Sequence, residues 1–398
     1  MLPFEFATAQ RIIFGRGVFD QLAALAAEHG RRVFLVASAH ALADGGPADR
    51  LADQARALGL ALTIQSVGGE PDVASVDGAA AEARRAGADV VVGLGGGSAL
   101  DMAKAVAGLL TNAGPVLDYM EVVGKGLPLQ QPAAPFLAVP TTAGPGSEVT
   151  RNAVVTDKRQ AFKASVRSPS LLARVALVDP LLTVSLPPGP TASTGMDALT
   201  QLIEAYVSRR ANPLTDALVM GALGRGARAL PRAWADGADV AAREDMCLAS
   251  LSSGLALANA ALGAVHGFAS PLGGHFPVPH GVACARLLPP VMAANVAALR
   301  ALPPDAPAGS STVSDTLWRY AQVGMAVVGP VDDAIDAGVA WAEEEVARLG
   351  VPGLRQYGMT EADLPTMARL AQGASSMKGN PVPLDEATLI ETLRQALD

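Results

Sequence analysis

The sequence predicts an α/β region followed by an all-helical one, and three observations carry that expectation. Short apolar runs alternate with Ala-rich helical stretches through the first half. After Val175-Ala176-Leu177-Val178-Asp179-Pro180 the strand signals fade and long amphipathic stretches take over. A glycine-rich loop, Gly93-Leu94-Gly95-Gly96-Gly97-Ser98, falls between one such run and the next helical stretch. Continuous apolar strands in a βαβα rhythm belong to parallel sheets covered on both faces. The expected organisation is an α/β parallel-sheet domain over residues 1–187 and an all-α domain over residues 188–398.

Each element has its own signal. Residues 32–37 (Arg-Val-Phe-Leu-Val-Ala) and 61–67 read as buried strands, 73–86 as an Ala-rich helix, and 88–92 as a strand ending at the glycine loop. Residues 98–110 then read as a helix and 136–139 as a strand ending at Pro140-Thr141-Thr142-Ala143-Gly144. Apolar periodicity predicts helices over 194–208, 213–227 and 334–349. The run Leu186-Pro187-Pro188-Gly189-Pro190 continues neither kind of element and marks the boundary. Residues 303–311 read as a loop, and 380–383 as a turn before a final helix.

Half of the 398 residues are hydrophobic, which allows a large core, and the net charge of −8 argues against a nucleic-acid partner. Two cysteines, Cys247 and Cys284, cannot build a disulfide framework. Met1-Leu2-Pro3-Phe4-Glu5-Phe6 lacks the pattern of a signal peptide, so a cytoplasmic location is expected. From Cys247 to Ala285 there is no Asp, Glu, Lys or Arg. The stretch is rich in Ser, Gly and Ala, contains Pro271, Pro277 and Pro279, and reads as buried helix and loop rather than a membrane span.

Two groups of residues carry chemistry. Gly95-Gly96-Gly97 opens a helix, where backbone N–H groups approach a phosphate and the helix terminus favours negative charge. Ser98 and Asp101 have the spacing of a capping box there. The same loop is also explained by close packing of helix on strand. No Gly-Lys-Ser/Thr follows, which disfavours phosphoryl transfer. A second strand end, from Pro140 to Thr150, makes a dinucleotide the better reading, since ligands lie beyond the carboxyl ends of strands in open α/β sheets. Lys163 is either a partner for that ligand or a solvated surface residue.

The second group lies in the charge-poor half. Asp197, His266 and His280 supply one carboxylate and two imidazoles, the minimum set for a divalent transition metal with positions left open. Only five histidines exist in the chain, and His275 lies between His266 and His280 as a ligand, a proton relay or a bystander. Asp197 is four residues from Gln201, so one helical face presents both. Thr194 and Asp197 also fit a capping box, and Glu204 reads as a supporting or surface residue.

Taken together, Phe14-Gly15-Arg16-Gly17, Gly95 to Lys104, Pro140 to Thr150, Asp179-Pro180, Thr194 to Leu199 and Pro279-His280-Gly281 resemble the iron-containing (group III) alcohol dehydrogenases. That family is related to glycerol dehydrogenase, maleylacetate reductase and dehydroquinate synthase. The resemblance implies a Rossmann-like dinucleotide domain, a helical domain, and a catalytic metal in the cleft between them. It implies nucleotide contacts at Gly96, Gly97, Ser98, Thr141, Thr142, Thr150 and Lys163, with Ser38 and Asp101 beside them. It implies metal ligands at Asp197, Gln201, His266 and His280.

The departures from the pattern are specific. The family usually has His at the positions of Gln201 and Ser270, the latter linked to proton relay, so Ser270 and His275 are the candidates for proton transfer here. Many members carry an acid where this chain has Val36-Ala37-Ser38-Ala39-His40, and its absence leaves NADP open beside the NAD that the family implies. The metal is expected to be iron or zinc. The reaction implied is reversible hydride transfer between NAD(P) and a small, neutral alcohol or aldehyde, in a homodimer or higher homo-oligomer. Three other readings of the same fold stay open: a metal-independent reductase of the maleylacetate reductase type, a lyase, and a nucleotide-binding protein without redox activity.

Overall fold

The computed structural model describes residues 3–160, 162–309 and 311–398. Met1, Leu2 and Ser310, which fall within the expected N-terminal stretch and the expected loop over 303–311, lie outside the described residues. The chain divides into two compact units, one of Ala7–Leu186 and the other built on Pro187–Asp398.

The first unit is a six-stranded parallel sheet. Its strands are β1 (Arg11–Phe14), β2 (Arg32–Ser38), β3 (Ala61–Val67), β4 (Val90–Gly95), β5 (Phe136–Pro140) and β8 (Val175–Val178), in the order β1-β8-β5-β4-β2-β3. Every residue of the central strands β4, β5 and β8 is buried, which is why they read as unbroken apolar runs. Helices α1 (Leu22–Ala27), α2 (Pro47–Ala57), α3 (Val73–Arg85) and α4 (Gly97–Thr111) connect or cover them. An antiparallel hairpin of β6 (Asn152–Asp157) and β7 (Phe162–Arg167) stands outside the sheet and packs on α4.

The second unit is helical: α5 (Pro188–Val207), α6 (Pro213–Ala235), α7 (Val240–Ala260), α8 (Ala264–His275), α9 (His280–Arg300), α10 (Val313–Val328), α11 (Ala334–Arg348), α12 (Leu364–Gly373) and α13 (Glu386–Gln395). Helix α5 packs against α6, α7 and α9 and is buried along almost its whole length beyond the first turn. Its buried residues include the polar Asp197, Gln201 and Glu204, which therefore need partners inside the protein. The charge-free stretch runs through α7, α8 and the start of α9. Helix α9 is long and apolar enough to cross a membrane, yet 72% of that apolar window is buried within the protein.

Three local expectations are corrected. Helix α5 starts at Pro188, so the prolines that were to end an element open one instead. A proline at N1 lacks only an N–H that would have no intrahelical partner. Thr194 is consequently inside α5 rather than at its cap, and its hydroxyl donates to Pro190 O (2.8 Å). Helix α4 is capped by Gly96 with no side-chain bond, so the Ser98/Asp101 box does not form either. Within 303–311, β9 (Pro307–Ala308) pairs with β10 (Ser311–Thr312) in a short antiparallel bridge.

Candidate metal and nucleotide sites

In the sheet unit, the glycine loop joins β4 to α4, a helix long enough to present an anion-binding terminus. The glycines are also demanded by packing. Gly95 has φ +157, and a Cβ there would lie 2.7 Å from Ala99 Cβ and 2.9 Å from Ser38 Cβ. A Cβ on Gly97 would lie 2.9 Å from the Pro145 ring. The packing explanation of the loop therefore holds. Ser38, Thr142 and Pro145 crowd the glycines, and Thr141 N donates to Gly95 O (2.9 Å), which ties the two strand-end loops together.

Behind that loop is a cluster the sequence reading missed. Lys104 on α4 is fully buried, and its ammonium donates to Ser147 Oγ (2.6 Å), Thr150 Oγ1 (2.9 Å) and Asn152 O (2.8 Å), with Asp101 Oδ1 at 3.3 Å. Asp101 also accepts from Ser147 Oγ (2.5 Å) and from Val154 N (3.2 Å). Thr150 and Asp101 thus serve this internal network rather than an open loop. Burial pulls the Lys104 ammonium below the usual lysine value, against the pull of Asp101. Burial also pushes the neighbouring Glu148 carboxyl up to about 7. Lys163 on β7 is not a solvated surface residue: it is buried and its ammonium lies 2.5 Å from Glu70 Oε2.

In the helical unit, three helices contribute the expected metal donors. Asp197 lies in the middle of α5, His266 in the first turn of α8, and His280 at the first position of α9. The approach of α9 to α5 depends on Gly281, where a Cβ would lie 2.3 Å from Ser193 O. Only glycine lets the two backbones meet and brings His280 to Asp197. Glu204, two turns beyond Asp197, holds α8 in place. Its Oε1 accepts from Val265 N (2.7 Å) and its Oε2 faces His266 Nδ1 at 2.6 Å. A carboxylate on Nδ1 makes that nitrogen the donor and turns Nε2 toward the cluster, where it can ligate once deprotonated, the arrangement that supports metal-ligating histidines.

The donor atoms converge. His266 Nε2 is 3.2 Å and His280 Nε2 3.7 Å from Asp197 Oδ1, and the two rings are 5.4 Å apart between centroids. Cys284 Sγ lies 3.6 Å from each Nε2, and all four donor atoms fall within 4.8 Å of one another. Burial lowers both imidazoles, but Cys284 and the carboxylates outweigh it, so His266 is raised well above its ordinary value and His280 is pushed up to about 9. Burial raises the Asp197 carboxyl, yet His280 and His266 prevail and hold it below the usual range. The cluster therefore favours positive charge, and its nitrogen, oxygen and sulfur donors suit a divalent transition metal.

The other expected residues are placed differently. Gln201 turns its amide nitrogen to the cluster: Nε2 donates to Asp197 Oδ1 (3.2 Å), while Oε1 accepts from Ser253 Oγ (3.0 Å). An amide nitrogen has no lone pair for a metal, so in this arrangement Gln201 positions Asp197. Ser270 lies one turn beyond His266 on the same face of α8. His275 lies about 180° around the helix from His266, is exposed, and bonds Pro271 O through Nδ1 (3.0 Å). It does not join the cluster. Cys284, one helical turn after His280, is the donor that sequence reasoning overlooked.

Known proteins resemble this chain along most of its length. The family described as iron-containing alcohol dehydrogenase matches residues 9–180, and the C-terminal part described as Fe-containing alcohol dehydrogenase family matches residues 191–397. The long-chain-alcohol dehydrogenase 1 of Geobacillus thermodenitrificans is 42% identical over 289 residues, 71% of this chain and 72% of that protein. The crystal structure of a 1,3-propanediol oxidoreductase superposes with a TM-score of 0.89 at 33% identity, covering 99% of this chain and 100% of that one. A sulfoacetaldehyde reductase from Bifidobacterium kashiwanohense, solved in complex with NAD+, gives a TM-score of 0.85 at 30% identity, covering 100% and 99%.

Proposed function

The chain belongs to the iron-containing alcohol dehydrogenase family, and from that premise we propose that it interconverts a small neutral alcohol and its aldehyde, using NAD and a divalent cation held by Asp197, His266 and His280. The observation that carries this reading is the convergence of a carboxylate and two imidazole nitrogens from three helices. When bound, the dinucleotide supplies the hydride acceptor and the cation supplies Lewis acidity toward the alcohol oxygen.

The chain's own residues do the rest. Backbone N–H groups at Gly96, Gly97 and Ser98 bind phosphate at the start of α4, and Thr141 and Thr142 close the second side of that loop. Glu204 fixes the His266 ring, and Gln201 fixes the Asp197 carboxylate. Ser270, a turn beyond His266, would pass the alcohol proton outward in preference to His275, whose ring is bonded to Pro271 O. The NAD+ complex of the sulfoacetaldehyde reductase supports NAD as the cofactor. Ser38, standing where an acid would reject a 2′-phosphate, keeps NADP as the competitor. Two buried cysteines, neither in a disulfide, fit a cytoplasmic protein, and a homodimer is the expected assembly.

The test is reduction of NAD or NADP by a panel of primary alcohols and diols, with the protein stripped of metal and reloaded with Fe2+ or Zn2+. Turnover restored by the cation is expected. Equal turnover with and without chelator points to the metal-independent reductase. No turnover with any alcohol or aldehyde, despite tight cofactor binding, rejects the redox reading. Light scattering of the same preparation checks the dimer.

A further inference from the structure

We propose that Cys284 is an inner ligand of the cation, so that this chain binds metal through Asp197 Oδ1, His266 Nε2, His280 Nε2 and Cys284 Sγ, with Gln201 as a positioning residue only. The inference rests on the reading that this cluster holds a cation, and it changes the donor set. Cys284 and His280 are four residues apart on α9 and share one face. The thiol is fully buried and lies 3.6 Å from both imidazole nitrogens. A tetrahedral site with a metal–sulfur bond of about 2.3 Å and metal–nitrogen bonds of about 2.0–2.1 Å has sulfur–nitrogen edges of about 3.6 Å and nitrogen–oxygen edges of about 3.3 Å. The Asp197 oxygen, at 3.2 and 3.7 Å from the two nitrogens, brackets the second value. Four of the six donor–donor edges thus lie near tetrahedral values, and all four donor atoms fall within 4.8 Å of one another.

Gln201 is in no position to compete. Its nitrogen faces Asp197 and its oxygen is taken by Ser253. On ligation the Cys284 thiol loses its proton to solvent, and the resulting thiolate is a soft donor that tilts metal choice toward zinc; the alcohol oxygen would then add as a fifth ligand.

X-ray absorption on the full chain decides the matter. The protein is stripped with chelator and reloaded with one equivalent of Zn2+. The expected spectrum has one sulfur at about 2.3 Å beside nitrogen and oxygen at about 2.0–2.1 Å. With Co2+ in place of Zn2+, a thiolate-to-cobalt charge-transfer band is expected in the wild type, retained in Gln201→Ala and lost in Cys284→Ser. Stoichiometric zinc with nitrogen and oxygen neighbours alone overturns the Cys284 assignment and leaves the metal site standing. Failure to take up either Zn2+ or Fe2+ overturns both. The wild-type spectrum is decisive even where the serine variant does not fold.

Discussion

Lys104 and Asp197 each sit at the centre of a buried polar cluster, one in each unit, and the two clusters are closed in different ways. Around Lys104 the cation is part of the chain. Its ammonium has three donors, and Ser147, Thr150 and Asn152 O take them beside Asp101. Around Asp197 there are a carboxylate, a thiol and two imidazole nitrogens, with Glu204 behind one ring, and no permanently charged lysine or arginine among them. Buried charge must be matched. The first cluster matches it with a fixed ammonium and therefore reads as framework, whereas the second matches its carboxylates with imidazoles whose protons an outside cation can replace. Burial and polarity alone do not separate a structural cluster from a binding one; whether the balancing charge is fixed or exchangeable does.

Four experiments would break or sharpen that contrast. The largest effect is expected for His280→Ala, which removes a donor and is predicted to cut alcohol-dependent NAD(P)H formation by about a thousandfold or more, the several kcal/mol that a Lewis acid supplies. Urea unfolding of the metal-free protein should barely move, and a normal rate in this variant would end the metal reading. Lys104→Met should do the opposite. It leaves Asp101 and its neighbours without their cation and is expected to cost about 3–5 kcal/mol of stability, read from denaturant midpoints. A stability within experimental error of wild type would show that Lys104 is not framework.

Glu148 tests the same unit through pH. Its folded value of about 7 stands above the usual 4.5, so its contribution is complete below about 4.5 and lost as pH rises through 7. The loss amounts to about 3 kcal/mol at about 1.4 kcal/mol per unit. Glu148→Gln should flatten that decline in urea titrations at pH 5 and 8, and an unchanged slope would count against the burial argument. The smallest effect is expected for Glu204→Gln. It keeps the shape but weakens the hold on His266, and cation affinity should fall about 10–100-fold by competition with a chelating dye. Unaltered affinity would make Glu204 a helix cap only.

What was legible in the sequence follows the physics of each element. The strands at 32–38 and 136–140 announce themselves because a parallel strand covered on both faces must be apolar throughout. The strand at 61–67 was expected to be buried like them, but it lies at one edge of the sheet, where only Val67 is fully buried and polar residues are tolerated. The edge strand Arg11–Phe14 is short and half exposed, so it lacked that signal. The hairpin carried a partial one, the apolar–polar alternation Phe-Lys-Ala-Ser-Val-Arg of its second strand, which went unread, while Asn-Ala-Val-Val-Thr-Asp of its first strand does not alternate in sequence. Both capping boxes failed because [ST]-x-x-[DE] spacing is common and says nothing about where a helix begins. Asp197, His266 and His280 were found because charges and imidazoles are conspicuous in an apolar stretch. Cys284 was weighed only for disulfides, although its spacing from His280 places both on one helical face. The orientation of the Gln201 amide is set by Ser253 on another helix and has no local signature.

The three helices that meet at Asp197 also say when a cation can be captured. Asp197 and His266 are 69 positions apart, and Cys284 follows His266 by another 18. A chain whose α9 has not yet docked against α5 offers scattered side chains rather than a chelate. Ion uptake is thus a late event in folding, and occupancy becomes a gauge of the native fraction. Saturating ion should raise the melting temperature in proportion to the logarithm of its concentration, as for any ligand that recognises only the assembled state.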